Sequence, residues 1–139
     1  METIICYAAG ESKGNPGPSA FAVYIESIIG EVIEERIQTI GNATSDFAAY
    51  NAVMVCLQTL QSLYGETTAQ MQFEVRLDCK LVANHLNAKV PINDPGLVPM
   101  FIEIHNMRVA SFPNIKFTLV SLEENQKALT LLKPALDGK

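Results

Sequence analysis

Few side chains in this 139-residue sequence stand at spacings that could make a reactive centre. His85 and His105 are its two histidines. They lie far apart, neither has a Cys or Asp partner at metal-ligand spacing, and each is expected as a partly exposed helix residue. Cys79 follows Asp78 at an expected helix N-terminus, where a thiolate would be favoured, but no general base can be named beside it and it reads as a packing residue. Cys6, Cys56 and Cys79 are odd in number and lack CxxC spacing, which points to reduced thiols in a cytoplasmic protein. Glu31, Glu34 and Glu35 are expected to form a solvated acidic strand face that discourages edge pairing. The chain carries 10 Lys and Arg against 15 Asp and Glu, a net charge of −5. Its basic residues are dispersed and build no basic helix. A protein that grips nucleic acid mainly by neutralising phosphates is usually basic, so electrostatic affinity for nucleic acid is expected to be low.

The elements that would position these residues follow from periodicity and breakers. The length and a 48% hydrophobic content fit one globular domain over residues 1–139 with a real core. The first ten residues lack the basic n-region of a signal peptide. Phe47 to Gly65 is uncharged, but Asn51, Gln58, Gln61 and Ser62 recur on one side, which suits a buried amphipathic helix and not a membrane span. Strands are expected at Thr3 to Ala9, Ser19 to Ser27 and Glu31 to Ile40, forming an antiparallel meander. Ser45 or Asp46 then caps a long helix ending at Tyr64, with Gly65 as its stop. A strand from Gln72 to Leu77 leads into a helix from Cys79 to Asn87. After a turn at Ile92 to Gly96, Pro99 opens a third helix that ends before Phe112-Pro113. A fifth strand, Ile115 to Val120, precedes a last helix from Glu123 to Leu132, stopped by Pro134. The order βββαβααβα implies an α/β domain with a five-stranded mixed sheet and helices on both faces.

Gly14-Asn15-Pro16-Gly17-Pro18, set between two apolar strands, resembles the first loop of type I ribonuclease H. Thr44-Ser45-Asp46-Phe47-Ala48-Ala49-Tyr50-Asn51-Ala52 is similar to that family's Thr-Asn-Asn-x-Ala-Glu-Tyr-x-Ala helix start. Leu77-Asp78-Cys79-Lys80-Leu81-Val82 resembles its strand-end Asp-Ser-x-Leu-Val, and Asp94-Pro95-Gly96-Leu97-Val98-Pro99 the turn before a later helix. Leu122-Glu123-Glu124-Asn125-Gln126-Lys127-Ala128-Leu129 resembles its terminal Arg-Glu-Glu-Asn-x-x-Ala-Asp. The motifs cover nearly the whole chain in order, so the resemblance implies the ribonuclease H-like fold, the three antiparallel strands being extended by two parallel additions.

That family hydrolyses the RNA strand of an RNA–DNA hybrid with two Mg²⁺ ions held by four carboxylates from distant segments. Hard dications need oxygen ligands and compensating charge. At the matching positions this chain has Ala9, Ala49, Asp78 and Leu129. With Asp78 as sole remnant, the expectation is a domain that is catalytically inactive or severely impaired, needs no cofactor, and binds RNA–DNA hybrid or double-stranded RNA weakly at most. The resemblance names Gly14, Asn15, Thr44, Ser45, Lys80 and Asn84 as candidate backbone contacts. Ser45 and Asp46 replace two asparagines, and a carboxylate facing a phosphate is repelled. An alternative is a protein-interaction or self-associating module on the same fold, with a methionine-rich surface (Met54, Met100, Met107). A second alternative is an active Mg²⁺- or Mn²⁺-dependent hybrid endoribonuclease in which Glu11 and Asp46 join Asp78. Glu11 lies two residues beyond Ala9 in an extended segment, and Asp46 one helical turn before Ala49, so both are candidate substitutes.

Overall fold

The computed structural model describes residues 2–137. Its sheet has strand order β3-β2-β1-β4-β5, with β1 (Thr3–Ser12), β2 (Gly17–Ser27), β3 (Val32–Ala43), β4 (Gln72–Leu77) and β5 (Ile115–Leu119). β1, β2 and β3 pair antiparallel, while β4 joins β1 and β5 joins β4 in parallel. The helices are α1 (Ser45–Tyr64), α2 (Lys80–Leu86), α3 (Val98–Ser111) and α4 (Gln126–Leu136). This is the mixed sheet and element order expected from the sequence.

Side-chain parity along β1 and β2 divides the core in two. Ile4, Cys6 and Ala8, with Phe21, Val23 and Ile25, face the larger cluster, which α1, α2 and α3 cover. Ile5, Tyr7 and Ala9, with Ala20 and Ala22, face the smaller one, closed by Ala128, Leu129 and Leu132 of α4. α1 therefore lies between the sheet and two other helices, and its burial on both sides accounts for its uncharged sequence. Among the described residues no helix is long and apolar enough to cross a membrane.

Several boundaries differ from expectation. β1 runs through Gly10 to Ser12 because pairing with β2 continues to Ser12↔Ser19. Gly10 belongs inside this strand: a Cβ there would stand 2.2 Å from the Ala48 carbonyl carbon, so α1 packs on β1 backbone to backbone. α1 is capped by Thr44, whose hydroxyl accepts from the Phe47 N–H at 3.2 Å, and neither Ser45 nor Asp46 is the cap. α4 begins after a one-turn 3₁₀ segment, Glu123–Asn125, and passes through Pro134 to Leu136. Pro134 lies in its last turn, where the missing N–H removes one hydrogen bond and few residues follow. The acidic residues of β3 do not share a face: Glu31 precedes the strand, and Glu34, ion-paired to Arg36 at 3.0 Å, alternates with Glu35. Met100 belongs to the larger core cluster, and Met54 and Met107, expected on a methionine-rich surface, are partly buried against it.

Candidate functional site

The β1–β2 loop, the start of α1 and the end of β4 meet around an open groove of about 430 Å³. The loop is held in shape by its own backbone: the Lys13 N–H donates to the Pro18 carbonyl at 2.8 Å, and a Cβ on Gly17 would fall 1.8 Å from the Lys13 carbonyl oxygen. Asn15 ties this loop to the helix, its Oδ1 accepting from the Ser45 N–H at 2.9 Å. Gly14, Asn15 and Ser45 consequently line the groove beside Asp78. Thr44 is occupied as the α1 cap, and Lys80 and Asn84 on α2 lie outside the groove lining.

Glu11 reaches the same groove as Asp78. Burial pushes its carboxyl above the usual range, the Asp78 charge adds to this, and Lys133 partly opposes it. Asp46 does not line the groove. Its carboxylate accepts from the Cys79 thiol at 3.3 Å. Burial, then the Asp46 carboxylate, pushes that thiol up to about 12, with a backbone hydrogen bond from Val82 opposing, so Cys79 is a protonated packing residue and not a thiolate.

Residues 8–135 match the reverse transcriptase-like family. LC11-RNase H1, isolated from compost, superposes with a TM-score of 0.91 at 31% identity, covering 99% of this chain and 98% of that one. Ribonuclease HI of Halobacterium salinarum is 32% identical over 131 residues. The chain belongs to the type 1 ribonuclease H family. The match covers 94% of this chain but 63% of the Halobacterium protein, and 97% of this chain but 36% of the bifunctional protein Rv2228c of Mycobacterium tuberculosis, which is 29% identical. The chain thus spans less than two thirds of the length of these curated relatives.

Within this ribonuclease H fold, the positions named for the four carboxylates divide sharply. Ala9, Ala49 and Leu129 are 2%, 3% and 4% exposed. Ala9 and Leu129 share the smaller apolar cluster, and Ala49 sits in the larger one. Asp78 is the one acid among them, and its Oδ1 accepts from Asn125 Nδ2 at 2.5 Å. The residues present do not fit a two-metal centre. Among the described residues no three His, Cys, Asp or Glu side chains come together as a metal-ligating group, and dications between methyl and isobutyl groups would lack both ligands and charge compensation.

Two polar pairs carry more weight than the sequence suggested. Asn125 is fully buried, and its Nδ2 donates to the Ala8 carbonyl at 2.9 Å as well as to Asp78, while its Oδ1 has no partner in the protein. It fastens the entry of α4 to the middle of β1 and to the residue that follows β4. A lone Asn before a helix gives no periodic signal of such a role. His85, expected as partly exposed, is 3% exposed and lies 2.6 Å from the Tyr50 hydroxyl through Nδ1. α2 is only seven residues long and packs beside α1, so its one imidazole turns into the core.

Proposed function

We propose that this ribonuclease H-family domain no longer carries out two-metal phosphodiester hydrolysis and retains at most weak binding of RNA–DNA hybrid. The observation that carries the reading is the filling of the metal-ligand positions: Ala9 and Leu129 belong to one apolar cluster, Ala49 to the other, and Asp78 is engaged by Asn125. Glu11 supplies a second carboxylate to the groove but no third follows. For binding, the loop that presents Gly14, Asn15 and Ser45 remains open, and a hybrid complex of the relative LC11-RNase H1 gives the ligand class. Against tight binding stand the net charge of −5 and the pairing of Lys13, Arg36, Arg76, Lys116 and Lys127 with carboxylates of the same chain.

The deciding experiment is hybrid cleavage in Mg²⁺ and in Mn²⁺ by the native chain, by Asp78→Asn, and by the restored variant Ala9→Asp with Ala49→Glu and Leu129→Asp. The native chain is expected to match the Asp78→Asn background, with any gain confined to a restored variant that circular dichroism shows to be folded. Cleavage by the native chain that disappears in Asp78→Asn would overturn the proposal. Hybrid binding is expected to be weak and detectable at low salt, with a steep loss as salt rises if phosphate contacts survive.

A further inference from the structure

On the far side of α2 lies a second groove, walled by α2 and α3, of about 630 Å³ and continuous through His85, Ala88 and Phe101 with another of about 520 Å³. Its chemistry follows from the Tyr50–His85 pair. Tyr50 is fully buried, its hydroxyl makes no other hydrogen bond among the described residues, and burial holds the phenol well above its ordinary range. With no other acceptor within reach among the described residues, the Tyr50 hydroxyl is assigned as the donor to His85 Nδ1. A neutral imidazole that accepts at Nδ1 carries its proton on Nε2. That Nε2–H has no partner among the described residues, and His85 lines both grooves.

The opposite wall supplies a positive charge. Arg108 of α3 uses one N–H on the Leu86 carbonyl at 2.8 Å and stacks over Phe117 with 4.8 Å to the ring centroid. It has no carboxylate within ion-pair distance among the described residues, in contrast to Arg36 and Arg76. A guanidinium offers five donors, and a partly desolvated one without a counter-charge is unfavourable until an anion joins it. The Phe101 and His105 rings lie nearly parallel, centroids 6.2 Å apart, and both line the groove, whereas the Phe112 ring is turned into the core against Phe73.

We propose that the α2–α3 groove binds a small aromatic anion, its carboxylate or phosphate taken by Arg108 and the Nε2–H of His85 and its ring lying against Phe101 and His105. The pair of donors selects for an acceptor-only, negatively charged group, and the aromatic walls select for a flat apolar body.

Titrating the ¹⁵N-labelled full chain with phenyl phosphate, benzoate and the uncharged control benzyl alcohol tests this by NMR. Both anions are expected to shift the Leu86, Arg108 and Val109 amides saturably, the tighter one identifying the headgroup, and benzyl alcohol is not. R108Q is expected to weaken binding by about tenfold or more, the loss of a charge-assisted hydrogen-bond partner. V109E adds a carboxylate at a groove residue that is 73% exposed, leaves the fold alone, and is expected to weaken binding comparably even if R108Q fails to fold. Y50F is expected to move the His85 ring ¹⁵N signals and weaken binding severalfold. Absence of a saturable shift with either anion, or unchanged binding in V109E and in folded R108Q, would overturn the proposal.

Discussion

Replacing Leu129 by Asp alone probes whether the family's metal position has become core. Leu129 is 4% exposed and packs with Ala9, Ala128 and Leu132. Losing a buried leucine costs about 2–3 kcal/mol. An aspartic acid there must stay neutral, against an unfolded pKa of about 3.9, so at about pH 7 the charge adds up to roughly 4 kcal/mol at 1.36 kcal/mol per unit. The sum of about 6 kcal/mol approaches the whole stability of an ordinary domain, about 5–15 kcal/mol. The sign with pH is definite. Because the folded-state pKa is raised, the charge penalty is absent below the unfolded pKa and grows as pH rises above it, so at about pH 4 only the apolar loss of about 2–3 kcal/mol remains. Urea unfolding followed by circular dichroism at both pH values measures this, with an unchanged m-value as the check on two-state behaviour. A loss under about 1 kcal/mol at neutral pH, or one independent of pH, would mean that water or a counter-ion reaches the position, and the filled-site reasoning would fail.

Other outcomes follow from single contacts. Asn125→Ala removes the donors to Ala8 and Asp78 and is expected to cost about 1–3 kcal/mol in denaturant unfolding; a neutral effect would show that α4 is held by apolar packing alone. Gly10→Ala forces a Cβ into the Ala48 backbone and is expected to destabilise by about 3 kcal/mol or more, read as a lowered melting temperature. With its thiol pushed up to about 12, Cys79 is expected to react with iodoacetamide far more slowly in the native chain than in urea at mildly alkaline pH, and equal rates by mass spectrometry would contradict its protonated state. The Glu11 carboxyl is raised in the folded chain, so its charge opposes folding above its ordinary pKa. Glu11→Gln is expected to gain stability at neutral pH and none in acid, whereas a loss at neutral pH would reveal an attractive partner.

The residue types fixed much of this outcome before any folding. Alternation in Phe21, Val23 and Ile25 against Ala20, Ala22 and Tyr24 dictates which side of β2 meets which helix layer, because a strand has period two. The motif order names the fold, and Ala9, Ala49 and Leu129 announce the missing carboxylates directly. Helix ends were less legible: Thr44, Ser45 and Asp46 are all good caps, and only the register of α1 against β1 at Gly10 selects Thr44. What tertiary structure alone decided is where polar atoms find partners. Asp78 and Asn125 are 47 residues apart, and Tyr50 and His85 35 apart. Hydrogen bonds depend on distance and angle in space, which no local spacing encodes. The sequence therefore places Ala9, Ala49 and Leu129 where the resemblance expects carboxylates, while packing determined that these three lie in apolar clusters and that Asp78 is held by Asn125.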